Sequence, residues 1–223
     1  MKILATLSLT GICLSAAGQG TFQNLDFERA NLDPSSSAVN VPLAIALPGW
    51  SVYYGAAQQT AIDYNDISEG STRVTLVSSA SQTFPAIDGD FSVLLQGGVT
   101  AAAASISQIG VIPSDAQSLL FKAQLGPQLG PGKLIVSVGG QNVLFDALGT
   151  SADFTLYGAS VSAWAGSSEQ LTFSALDGYG ANNWLVDDIT FSTQAVPEPS
   201  PLILAGFGGL MFLLRRRFAA NKR

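Results

Sequence analysis

Between residues 21 and 192, apolar and polar side chains alternate in short runs broken by Gly, Pro, Asn and Ser. A period of two is the mark of strands with one face in a core. The runs fall at residues 21–28, 50–54, 60–64, 72–77, 91–96, 104–109, 118–125, 133–138, 142–148, 154–164, 170–176 and 184–192. No stretch keeps a helical period for more than a turn or two. This spacing predicts an all-β fold, a β-sandwich over residues 19–192. Pro48-Gly49 predicts a turn into the strand that starts at Trp50, and Gly139-Gly140 predicts a tight hairpin. Trp50 and Trp164 are expected in the core.

Both ends of the chain break the pattern. Lys2 precedes an apolar run over residues 3–14, and Ser15-Ala16-Ala17-Gly18 supplies the small residues that signal peptidase needs. Residues 1–18 are thus expected to be a signal peptide cut after Ala17 or Gly18. The single cysteine, Cys13, leaves with it, so the mature chain has no disulfide or thiol chemistry. At the other end, a linker over residues 193–200 contains Val196-Pro197-Glu198-Pro199-Ser200, and an uncharged run over 201–214 follows. Ser200 is a suitable cap and Pro201 a suitable first helical residue. Fourteen residues give only about 21 Å of helix, short against a bilayer core of about 30 Å, so a crossing needs a thinned membrane or snorkelling arginines. Arg215, Arg216 and Arg217 open a basic tail over 215–223, which the positive-inside rule keeps in the cytoplasm.

A Pro-Glu-Pro motif, a short apolar helix and an arginine cluster, in that order, resemble the PEP-CTERM sorting signal of exported bacterial proteins. The resemblance covers residues 196–223. It implies that an exosortase-type membrane protease recognises Pro197, Glu198 and Pro199, with Val196 leading into them. It also implies that the helix anchors the chain in the inner membrane until processing delivers it to the cell surface or beyond. A plain tail anchor is the competing reading.

Charge narrows the partners. Residues 19–192 carry fifteen acidic side chains against four basic ones, a net charge of about −11 that the basic tail hides in the whole-chain value of −6. Such a domain repels nucleic acid and anionic lipid, and it tolerates calcium. The chain has no histidine, which excludes Ser-His-Asp hydrolysis and histidine-based zinc chemistry. Carboxylate pairs remain for glycosidase-like acid and base work: Asp88 with Asp90, Asp63 with Asp66 and Glu69, and Asp187 with Asp188. The first reads as a turn and the second as a solvated loop, so no enzyme is expected.

A second resemblance sits at the two ends of the domain. Asn24-Leu25-Asp26-Phe27-Glu28, Leu47-Pro48-Gly49-Trp50 and Val186-Asp187-Asp188-Ile189 resemble the jelly-roll carbohydrate-binding modules of the galactose-binding-like type. The resemblance implies a structural calcium held by Glu28 and Asp187 or Asp188, with Asp26 behind them. Strict alternation adds that Leu185, Asp187, Ile189 and Phe191 share a face, where an aspartate needs a partner. For a sugar ligand the candidate aromatics are Tyr53, Tyr54, Tyr179 and Trp184, with Asn182 and Asn183 as hydroxyl partners. Two readings stay open: an exosortase-sorted surface or extracellular-matrix protein with a non-catalytic sandwich or, alternatively, a specific module for an extracellular polysaccharide.

Overall fold

The computed structural model describes residues 21–67, 70–98, 102–126, 132–176 and 182–196. The leader, Pro197, Glu198, Pro199, the 201–214 helix, Arg215, Arg216, Arg217 and Tyr179 lie outside the described residues.

The alternating runs form strands that pair into two sheets. In chain order the elements are β1 (Ala38–Pro42), α1 (Leu43–Ala46), β2 (Ser51–Tyr54), β3 (Ala57–Gln59), β4 (Ala61–Tyr64), β5 (Arg73–Ser78) and β6 (Phe91–Gly97). They continue with β7 (Ala104–Val111), β8 (Ser118–Leu125), β9 (Leu134–Val138), β10 (Gln141–Val143), β11 (Phe145–Thr150), β12 (Thr155–Ser160), a 3-10 turn (Ser162–Trp164), β13 (Ser168–Ala175) and β14 (Asn182–Ser192). One sheet runs β1-β4-β5-β6-β14-β8-β12-β11 and the other β10-β9-β13-β7-β2-β3. No helix among the described residues is long and apolar enough to cross a membrane.

Alternation fills the space between the sheets. Val93, Leu95, Phe121, Trp184 and Val186 from the eight-stranded sheet meet Val52, Ile106, Val136, Leu171 and Phe173 from the six-stranded one. Phe121 sits among Phe145, Tyr157 and Phe173 with ring centroids 5.2–5.5 Å apart. Each large side chain buried this way contributes about 1.5–3 kcal/mol. The Gly139-Gly140 hairpin forms as the sequence predicts: both glycines have positive φ, 57° and 76°, and they join β9 to β10.

The structure corrects four strand expectations. The run at residues 142–148 is no single strand: it splits into β10 of the six-stranded sheet and β11 of the eight-stranded one. Residues 21–28 form no strand. Thr21 makes one isolated bridge to Val111, and the rest is a turn with Asn24 and Phe27 at positive φ. Asn24 fixes that turn: its Oδ1 accepts the Arg29 N–H at 2.9 Å, its Nδ2 donates to the Pro48 carbonyl, and the Trp50 indole donates to its carbonyl at 2.8 Å. Residues 154–164 stop being a strand at Ser160, where the chain enters the 3-10 turn. Finally, a β-bulge at Asp188, whose φ is 43°, places two residues of β14 opposite one of β8. Past a bulge the alternation changes side. Leu185 and Asp187 therefore face outwards, while Ile189 and Phe191 turn to the core.

Candidate functional site

The two sheets present very different outer faces. On the eight-stranded sheet, the β4–β5 connection and the long β5–β6 connection fold back over the strands. Ile67, Phe84 and Ile87 come down on Val77, Leu94 and Leu185 to make a second apolar cluster. Phe84 lies where Gly126 leaves room, since a Cβ there would come within 2.5 Å of its ring. Further along, Val196 settles on Gly158 of β12 beside Leu148 and Leu120, after Ser118 has donated to the Gln194 carbonyl at 2.7 Å. The middle of this face, over β5, β6 and β14, is covered, while the edge strands β1 and β11 are largely exposed.

Polar groups fasten the cover. Glu28 Oε1 accepts the N–H groups of Asp90 and Phe91 at 2.9 and 3.0 Å, and its carboxylate fills the space above Gly89. Lys122 bonds to Asp188 at 2.9 Å and Asp88 at 3.1 Å, and lies 4.9 Å from the centre of the Phe154 ring. Beneath the cover Asp187 is 2% exposed. Its Oδ2 accepts the Ser92 hydroxyl, its Oδ1 accepts the Asp188 N–H at 2.7 Å, and Ser92 in turn accepts the Ile87 N–H. Burial pushes the Asp187 carboxyl up to about 8 against the pull of those two donors, and the carboxylates of Asp88 and Glu28 raise it further. Burial raises Glu28 as well, against the two backbone donors.

Of the carboxylates expected to hold calcium, Glu28 lies near enough for its charge to raise Asp187, Asp188 follows in the bulge and is paired with Lys122, and Asp26 is exposed and accepts the Glu28 N–H at 3.4 Å. Among the described residues no three acidic, histidine or cysteine side chains gather closely enough to hold an ion by themselves. Calcium takes six to eight oxygens, so here it needs backbone carbonyls or water to complete its shell.

The six-stranded sheet is bare among the described residues. Its inward residues fix which side chains point out. One row across the strands reads Gln58, Tyr53, Ser105, Ser174, Ile135, each opposite the next in register. A second reads Ser51, Ser107, Thr172, Ser137, Asn142. Ser105 and Ser174 share a hydrogen bond of 3.0 Å, and Gln170 donates to Ser107 at 3.0 Å while covering it. Ile109, 68% exposed, stands at the side. No residue of either row is charged, in a domain of net charge about −11.

The candidate aromatics divide accordingly. Tyr53 is half-buried on the bare face. Tyr54, one residue on, points inwards, and its hydroxyl accepts the Val74 N–H at 3.3 Å. Trp184 is 7% exposed and packs in the core, so it offers no platform. Asn182 and Asn183 are buried: Asn182 donates to the Lys133 and Leu176 carbonyls, and Asn183 accepts from Gln96. Trp50 lies in the core as expected, and Trp164 packs against it.

No family model and no curated protein matches the chain. Among solved structures it is similar to TmCBM61 in complex with beta-1,4-galactotriose, at 13% identity over 79% of this chain and 99% of that one, with a TM-score of 0.46. It is also similar to the family 11 carbohydrate-binding module from Clostridium thermocellum in complex with a beta-1,3-1,4-mixed-linked tetrasaccharide, at 10% identity over 73% and 100%, TM-score 0.37. A third is CBM28, a carbohydrate-binding module specific for non-crystalline cellulose, at 11% identity over 72% and 97%, TM-score 0.36.

Sequence reasoning passed over the Asp63–Arg73 pair. Asp63 is a strand residue, 6% exposed, rather than part of a solvated loop. It accepts from Arg73 at 2.9 Å and from the Asn40 N–H at 3.2 Å, at the side of a cleft of about 520 Å³ lined by Val39, Asp66 and Ile67. The parity of β4, with Ile62 and Tyr64 apolar, was the available signal.

Proposed function

We propose that this chain is an exported protein, delivered to the cell surface by exosortase-type sorting, whose non-catalytic, jelly-roll-like sandwich associates with extracellular polysaccharide. The observation that carries the binding half is the bare, uncharged face of hydroxyl and amide side chains around Tyr53. Sugar hydroxyls pair with such groups, and the C–H face of a pyranose packs on a tyrosine ring. The sorting half rests on the order of motif, apolar run and arginines over residues 196–223 and on the leader at the other end.

One member of each carboxylate pair considered for catalysis is tied into the fold. Asp63 holds Arg73, Asp88 holds Lys122, and Asp187 lies sealed under the β5–β6 connection. Calcium at Glu28 and Asp187 is part of the proposal, because burial raises both carboxyls and the Glu28 charge raises Asp187 further, a cost that a cation would relieve. Its role is structural.

Two experiments test this reading. Cells expressing the intact chain, or a version with Pro197, Glu198 and Pro199 replaced by alanine, are fractionated. The intact chain is expected at the surface with reduced mass, and the altered one retained in the membrane; identical mass and compartment would remove the sorting half. Retention of the protein on a panel of polysaccharides, measured by co-sedimentation, tests the binding half.

A further inference from the structure

Resting on the polysaccharide reading, we infer that the bare sheet takes a neutral, extended glycan chain lying across the strands, along the rows that pass through Tyr53 and Thr172. Neighbouring strands are about 4.8 Å apart, and rows two residues apart along a strand are separated by about 7 Å. The face is therefore a lattice of hydrogen-bonding groups, four strand steps or about 19 Å long in the direction of each row.

The composition of each row is suited to a sugar. The row through Tyr53 has a ring at one side, the Ser105 and Ser174 hydroxyls in the middle, and Ile135 on the far side, so apolar patches for pyranose C–H faces bracket a polar centre. The parallel row offers Thr172, Ser137 and Asn142 to the same chain's outward hydroxyls. A pyranose chain crossing the strands meets a new side chain about every 4.8 Å, whereas one running along a strand meets an outward side chain only about every 7 Å.

Absence of charge selects the class. Neither row contains Lys or Arg to pair with uronate, sulfate or phosphate groups, and the surrounding net charge of about −11 repels polyanions. A second copy of the chain is a poor occupant, since two such domains repel each other and Tyr53, Ile109 and Ile135 are too little apolar surface for a stable dimer core. Neutral hydroxyl-rich polymers meet neither obstacle.

The test uses the full chain solubilised in mild detergent, co-sedimented with cellulose, xylan and starch as neutral polymers and alginate as the anionic one. The wild type is expected to bind at least one neutral polymer and not alginate. Replacing Thr172→Lys and Ser174→Lys together should weaken that binding about tenfold, which is about 1.4 kcal/mol, with the melting temperature unchanged. Tyr53→Ala, a milder change, should weaken it in the same direction. If no polymer binds, the polysaccharide reading itself fails. If a neutral polymer binds and both variants bind it like the wild type, the reading stands and this face is the wrong one. Binding of alginate at the level of the neutral polymers overturns the neutral class.

Discussion

The outer faces of the two sheets differ: the middle of one is buried under a connection, and the other is open among the described residues. On the eight-stranded sheet the outward positions include Val77, Leu94 and Leu185, and the chain supplies Ile67, Phe84 and Ile87 to cover them. On the six-stranded sheet the corresponding positions are Ser105, Ser107, Thr172, Ser174 and Ser137, and no described segment crosses them. An apolar outward face has to be covered to keep the fold soluble, whereas a hydroxyl face can stay in water until a partner arrives. Stability should therefore concentrate on one face and binding on the other.

The comparison breaks most readily at Phe84. Truncating it to alanine removes the centre of the cover and should cost about 3–5 kcal/mol in chemical denaturation, while Thr172→Ala on the bare face should stay within about 0.5 kcal/mol. Equal costs would mean that the two faces are energetically alike.

Next in size is the pH dependence that Asp187 imposes. Its folded pKa is raised from 3.8 to about 8, so the fold prefers the protonated form. The contribution is complete below about pH 4 and is lost as pH rises through 8. With calcium chelated, stability should fall by roughly 2–4 kcal/mol between pH 5 and 8, and Asp187→Asn should flatten that slope. Added calcium should restore the wild type at pH 8 and leave the Asn variant unchanged. A melting temperature indifferent to both pH and calcium in this window would show that Asp187 is not sealed as described.

Smaller effects sharpen the picture. Gly126→Ala pushes a methyl group into the Phe84 ring and should cost about 1–3 kcal/mol. Lys122→Met frees Asp88 and Asp188 at the edge of the cover; both carboxylates are partly exposed, so the loss should be at most about 1 kcal/mol. Amide exchange in residues 79–90 should nonetheless speed up, because the connection loses one of its ties.

Much of this fold was legible from alternation alone. The runs at residues 118–125, 170–176 and 184–192 became β8, β13 and β14, and Gly139-Gly140 became a hairpin. Alternation also separates Tyr53 from Val52 and Tyr54, a distinction that a list of aromatics near loops overlooks. The turn at Asn24 was hidden because its cause is a single side chain bonded to Pro48, 24 residues away. The bulge at Asp188 was hidden for a similar reason: one residue at positive φ reverses the faces that follow, and a period of two has no symbol for it. Which outer face would be covered depends on Phe84 and Ile87, which lie in a connection whose Pro, Gly and Asp residues read as a loop.

Hydroxyl-radical footprinting of the full chain with and without a bound neutral polysaccharide tests the division of labour most directly. Tyr53, Ile109 and Ile135 on the six-stranded sheet should lose labelling when the polymer is present, while Val39 and Leu144, exposed elsewhere, keep theirs. Protection of Val39 and Ile67 around the Asp63–Arg73 cleft, with Tyr53 and Ile135 labelled as before, would contradict it.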